Sequence, residues 1–141
     1  MLLCETPVLQ AIRFRASRRA APRMQDSQPV LHLIVLIHGL FGTHRDFDVL
    51  SHELEVATGG RARGVLVHAT AANDGLTLDG IERGAERAAD DVCALLRAHG
   101  SVATLSLVGH SLGGLYARRA ARILDDRGVF ALAPAPPAAA A

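Results

Sequence analysis

Ser111 stands at the centre of Gly109-His110-Ser111-Leu112-Gly113, a G-x-S-x-G pentapeptide. In a turn between a strand and a helix, this spacing presents a serine hydroxyl for attack on an ester carbonyl, with an acyl-serine as the intermediate. The two glycines have a steric purpose. A side chain at either position would collide with the strand and helix that meet at the turn, and the serine itself must take a strained backbone conformation. Attack on an ester makes a tetrahedral anion, which needs two N–H groups already aimed at it. Leu112, the residue after the nucleophile, is the first expected donor. Leu40 is the second, in His38-Gly39-Leu40-Phe41-Gly42, a glycine-rich loop that directly follows an apolar run. Gly39, Phe41 and His110 are candidates for lining the substrate site, although the His110 side chain is expected to point away from the hydroxyl.

A serine hydroxyl is a poor nucleophile at neutral pH without a positioned base, itself oriented by a carboxylate. On an elbow of this kind the acid and the histidine follow the serine along the chain. No histidine follows Ser111. The downstream acids Asp125 and Asp126 fall at the end of the next helix and read as surface residues, so the triad acid is unassigned. His44 and His68 lie upstream, where the topology gives no reason to expect them beside Ser111.

The elements that must position these residues are legible in the periodicity. Leu31–Ile37 is a nearly continuous branched apolar run, which predicts a strand buried on both faces. From Thr43, with Asp46 as capping-box partner, Phe47, Leu50, Leu54 and Ala57 recur at helical spacing up to Gly59-Gly60. A strand is expected over 64–69, a polar turn over 71–75, and an amphipathic helix from Leu78 through Ile81, Ala85, Ala88, Val92 and Leu95 to Gly100. Thr104–Val108 reads as a third strand, and Leu115, Ala120, Ile123 and Leu124 carry a helix after the elbow. Alternating strands and helices with short connections predict an open parallel α/β sheet with helices on both faces.

With these motifs in place, residues 31–132 resemble the N-terminal half of the lipase-like putative serine esterases called domain of unknown function 676, in the α/β-hydrolase superfamily. The resemblance rests on LIVLIHGLFG (33–42), on Thr77, Asp79-Gly80-Ile81, Gly84 and Arg87 in TLDGIERGAER, and on LSLVGHSLGGLYARRA (105–120). It implies a carboxylic-ester hydrolase acting on acylglycerols or other lipid esters, with Ser111 as nucleophile and Leu40 and Leu112 at the oxyanion hole. The expected fold is an α/β-hydrolase-like sheet cut off after the helix that follows the elbow. Two readings follow: a serine esterase represented here by its nucleophile-bearing part, or an inactive hydrolase fold serving as a lipid- or protein-binding module.

The remaining positions have plainer expectations. Asp79 and Arg87 read as a helix cap and a helix-surface or loop-anchoring residue, Thr77–Ile81 as a wall of the acyl pocket, and Tyr116 as core. Arg118, Arg119 and Arg122 form a basic helical face whose simplest role is solvation, with peripheral lipid contact as the functional alternative. Across 141 residues, 15 basic side chains, all Arg, balance 14 acidic ones, so no global field favours nucleic acid. The longest apolar run is far too short to span a bilayer. Cys4 and Cys93 fit neither a disulfide framework nor a metal site, and no metal or organic cofactor is implied. Residues 1–29, rich in Arg and poor in acids, read as a disordered basic leader or an organellar (chloroplast or mitochondrial) transit peptide, which puts the expected location inside the cell, cytoplasmic or organellar. Residues 133–141 (APAPPAAAA) read as a disordered tail.

Overall fold

The computed structural model describes residues 10–15, 29–100 and 102–130. Along the chain run β1 (Gln10–Arg15), β2 (His32–Ile37), a 3-10 turn (His44–Phe47) leading into α1 (Asp48–Thr58), β3 (Val65–Ala69), α2 (Ile81–Ala98), β4 (Thr104–Gly109) and α3 (Leu112–Asp126). The sheet order is β1-β4-β2-β3. β2 pairs in parallel with both β3 and β4, as the alternating pattern requires.

Side-chain alternation along the central strands explains the two layers. Leu33, Val35 and Ile37 of β2, with Leu105 and Leu107 of β4, pack against Ala85, Ala88, Ala89 and Val92 of α2 and Tyr116, Ala117, Ala120 and Leu124 of α3. Ile34 and Leu36 point the other way, onto Phe47, Val67 and the half-buried Leu50 and Leu54 of α1. A strand covered on both faces must be apolar at consecutive positions, which is why 33–37 carries no polar residue. Small residues let α2 and α3 approach closely. A β-carbon built on Gly84 would stand 2.4 Å from Cε1 of Tyr116, whose ring is fully buried.

The α3 stripe is centred one position later than its apolar pattern suggests. Tyr116, Ala117, Ala120 and Leu124 are buried, while Leu115 is exposed, as is Ile81 at the start of α2. Ala57 in α1 is exposed too. Asp79 does not cap α2: the N-cap is Gly80, and the Asp79 carboxylate goes to Arg87 instead.

The N-terminal leader expectation is corrected in part. Gln10–Arg15 is a strand lying antiparallel on β4, from Gln10 opposite Gly109 to Arg15 opposite Thr104. Its basic composition concealed it, because Arg13 and Arg15 alternate with Ile12 and Phe14 over only six residues. The pairing satisfies β4 backbone groups that would otherwise form an open edge. The rest of the leader, Cys4 and the Ala/Pro tail lie outside the described residues. Among the described residues no helix is long and apolar enough to cross a membrane, and no group of three or more His, Cys, Asp or Glu side chains could hold a metal ion.

Candidate active site

The elbow forms where β4 runs into α3. Ser111 occupies the N-cap of α3 at φ 55°, ψ −124°, a region that non-glycine residues rarely enter and that costs about 1–3 kcal/mol. Sterics around it are severe. A β-carbon on Gly109 would lie 2.4 Å from the carbonyl group of Gly113, and one on Gly113 would lie 2.0 Å from the Ile37 carbonyl oxygen. Both glycines of the pentapeptide are therefore obligatory, and the second is obligatory because of β2 as well as its own turn. The His110 N–H donates to the Ile37 carbonyl at 3.1 Å, which fastens the elbow to the end of β2. Ser111 itself is exposed.

The loop after β2 lies directly against this turn. A β-carbon on Gly39 would come 2.8 Å from the His110 carbonyl oxygen, 2.9 Å from Ser111 Cβ and 3.3 Å from the Leu112 nitrogen. Gly39, the residue before the expected donor Leu40, thus adjoins the nitrogen of the other expected donor, Leu112. Leu112 is the first residue of α3, so its N–H has no carbonyl of its own helix to bond and lies at the positive end of the helix dipole. Leu40 follows Gly39 in the loop, and among the described residues its N–H has no acceptor. Phe41 differs. Its N–H donates to Thr77 Oγ1 at 3.1 Å, so it is not an oxyanion donor. Its φ of 56° makes it, with Ser111, one of two non-glycine residues at positive φ among the described residues.

Buried and ion-paired side chains fix the loop from behind. His38 is almost fully buried, and its Nε2 stands 2.9 Å from Asp74 Oδ1, near enough for charge contact but not aligned as a hydrogen bond. The other carboxylate oxygen of Asp74 is 2.5 Å from His44 Nδ1, and the His44 backbone N–H donates to Oδ1 at 3.0 Å. One carboxylate so connects both ends of the loop. Burial works against ionisation of Asp74, but the side-chain and backbone hydrogen bonds from His44 outweigh it and hold the carboxyl below its ordinary range.

The segment 73–87 forms the next layer. Arg87 donates to Asp79 at 2.7 and 2.9 Å, to the Leu76 carbonyl at 2.9 Å and to Asn73 Oδ1 at 2.8 Å. The buried Asn73 in turn donates to the Gly84 carbonyl. The Tyr116 hydroxyl donates to the Thr77 carbonyl at 3.2 Å. Of its two expected roles Arg87 takes that of loop anchor, and Thr77 joins α3 to the loop after β2. The role of Asn73 was not read from sequence; its place in the Asn-Asp-Gly turn disguised it as an ordinary turn residue.

Among the described residues no side chain is hydrogen-bonded to Ser111. His44 is turned to Asp74. His68 sits on β3 with Nε2 2.8 Å from Asp91 of α2, two strand spacings from β4, about 10 Å. His110 contributes its backbone to the elbow. Asp125 and Asp126 are ion-paired with Arg122, at 3.8 and 3.0 Å, which accounts for them as surface residues. The basic face of α3 is largely neutralised, since Arg119 also forms a bidentate pair with Glu82 of α2.

Searches among curated proteins and among solved structures give no match. The family model for the putative serine esterases, domain of unknown function 676, matches residues 27–134. That span contains β2, the loop at 38–42, the 73–87 layer and the elbow. Covering well over half of the chain, it establishes that this protein belongs to the putative serine esterase family.

Proposed function

We propose that the chain is a serine-dependent carboxylic-ester hydrolase in which Ser111 attacks the ester carbonyl and the Leu40 and Leu112 N–H groups receive the resulting oxyanion. The observation that supports this reading is the close approach of Gly39, the residue before Leu40, to Ser111 and the Leu112 nitrogen at a strained, exposed elbow. The ester C–O bond breaks after the tetrahedral stage, leaving an acyl-serine that water then hydrolyses. Acylglycerols or other lipid esters are the proposed substrates, consistent with the family resemblance.

The second reading, a hydrolase fold kept as a lipid- or protein-binding module, is favoured by one fact: the histidines nearest the loop are held by Asp74, and none is hydrogen-bonded to Ser111 among the described residues. Without a base, an oxyanion hole and binding alone leave about 10³- to 10⁴-fold over water. Hydrolysis of p-nitrophenyl butyrate by the purified chain is therefore expected to be very weak. Added imidazole separates the two readings. If Ser111 is a nucleophile lacking only its proton acceptor, imidazole raises the rate above its own background, and Ser111→Ala abolishes the increase. A rate with imidazole identical in the two proteins would leave the binding module as the better account.

A further inference from the structure

His38 follows the apolar run of β2 with a polar ring that is 1% exposed. An aliphatic side chain could fill such a position without the cost of desolvating two ring nitrogens. The bonds those nitrogens make therefore need a reason. Nδ1 lies 3.0 Å from the carbonyl oxygen of Gly39. A carbonyl only accepts, which places a hydrogen on Nδ1 and makes the ring the donor. Nε2 is turned to Asp74 Oδ1 at 2.9 Å, and the same oxygen accepts the His44 N–H at 3.0 Å.

The Gly39 carbonyl is one half of a planar peptide unit whose other half is the Leu40 N–H. In a trans unit the two point in opposite directions, so a donor that fixes the carbonyl fixes the direction of the N–H with it. The carbonyl is held twice. The Gly42 N–H donates to it at 3.1 Å across the turn, and the His38 ring adds a second bond from the buried side. Hydrogen bonds accepted by a carbonyl also polarise its peptide group, which strengthens the N–H as a donor. There is little slack around this unit. A β-carbon on Gly42 would stand 3.2 Å from His38 Cβ and 3.3 Å from the Gly39 oxygen, and Gly39 itself adjoins Ser111 and the Leu112 nitrogen.

We infer that His38 is a positioning residue for the Leu40 N–H, acting through the Gly39 carbonyl, and that Asp74 holds the ring in place for that task. Neither side chain touches the ester. Asp74 is itself fixed by the backbone and the ring of His44, so the His38 ring is set against a group with two further attachments. The inference rests on the proposed role of Leu40 as an oxyanion donor, but the bond on which it turns is measurable without a substrate.

Imidazole nitrogen NMR spectra of the full-length protein read the ring directly. Nδ1 of His38 should carry hydrogen, and a bare Nδ1 would overturn the proposal. Asp74→Ala, at a partly exposed position, loosens the ring from a distance and should shift the Leu40 amide signal. His38→Ala removes the donor, and His38→Asn restores one, since its side-chain amide can reach the same carbonyl. In the imidazole-supported hydrolysis of p-nitrophenyl butyrate, His38→Ala should lower kcat by about tenfold, less than the roughly 10²–10³ that loss of a whole oxyanion donor costs, with KM changed by less than about twofold. His38→Asn should return most of the rate even if its urea midpoint stays as low as that of the alanine variant. A Leu40 signal that stays in place in Asp74→Ala, or rates in the two His38 variants that only follow their stabilities, would overturn the proposal. If imidazole gives the parent no Ser111-dependent rate, the esterase reading fails, and the ring and Leu40 measurements decide the inference alone.

Discussion

Replacing Gly39 by alanine tests the central contact of the site without touching the nucleophile. The added β-carbon would sit 2.8 Å from the His110 carbonyl oxygen and 2.9 Å from Ser111 Cβ, against ordinary carbon separations of about 3.5–4.0 Å. Neither neighbour can turn away, since one is backbone and the other is fixed to the strained elbow. The oxyanion loop must therefore back off by roughly 0.5–1 Å, at a cost of about 1–3 kcal/mol, the range for overpacking a tight site. Gly128→Ala supplies the comparison. At φ +70° with nothing within 4 Å of its β-carbon, it should lose about 1–2 kcal/mol through backbone conformation alone, at the far end of α3. The two variants should have similar urea midpoints and differ in where the structure moves. In two-dimensional amide NMR spectra, Gly39→Ala should shift the Ser111 and Leu112 signals, whereas Gly128→Ala should leave them in place. If Gly39→Ala is as stable as the parent and the Ser111 and Leu112 amides do not move, the loop and the elbow are not in contact and the oxyanion assignment fails.

Two further outcomes follow from the charges and from the N-terminal strand. The His68 hydrogen bond holds the Asp91 carboxyl below its ordinary range, against the effect of burial and with help from Thr70. A lowered folded pKa contributes stability that is present above the unfolded value, about 4, and is lost as pH falls through the folded value. Urea midpoints should accordingly fall below pH 4, beyond the earlier decline below about pH 6.5 that the lowered pKa values of His32 and His99 impose, and Asp91→Asn should lower the pH 7 midpoint while making the acid limb shallower. An unchanged acid limb in that variant would assign the acid sensitivity elsewhere. Deleting residues 1–28 removes β1 and exposes the β4 backbone from Thr104 to Gly109. The shortened chain should self-associate in sedimentation velocity and lose stability, and a monomer as stable as the parent would show that β1 is dispensable.

Where sequence and structure agree, each signal has a local cause. Branched residues at 33–37 have one use in a domain of this size, a strand covered on both faces. The elbow is fixed by two glycines that only a strand-to-helix turn demands, so Ser111 could be placed from its neighbours alone, and Leu112 with it. Phe41 and Asn73 were less legible because their roles are set by contacts across the fold. Nothing in HGLFG shows that the Phe41 N–H is taken by Thr77 some thirty-six residues later, and nothing in Asn-Asp-Gly shows that Asn73 is buried against α2. Asp74 is the sharper case. It reads as a turn residue, yet two histidines converge on it. The strand β1 was missed for a different reason: over six residues an arginine-rich alternation carries too little apolar character to outweigh its charge, and only the open edge of β4 gives it a partner.

The segment TLDGIERGAER lies within the family match, and its contacts in the structure are with the groups around the elbow. Thr77 holds the Phe41 N–H and accepts from Tyr116, Asp79 and the carbonyl of Leu76 hold Arg87, and Gly84 makes room for the Tyr116 ring. Thr77 and Gly84 act on the loop at 39–42 or on α3 directly, and Asp79 and Arg87 hold the segment that carries Thr77. Strain at Phe41 and Ser111, about 1–3 kcal/mol each, persists only when surrounding contacts over-determine it. The segment supplies those contacts. In the proposed reaction, stabilising the oxyanion and presenting the hydroxyl would be tasks of β2, β4, α2 and α3 together, whereas proton transfer would depend on a group this arrangement does not involve. The two halves of the chemistry are separable in space. A free imidazole can replace the second, but no small molecule can replace the first, so a response to imidazole in the parent and its loss in Gly39→Ala, with Ser111 still present, would locate the catalytic contribution of this chain in the contact between the loop and the elbow.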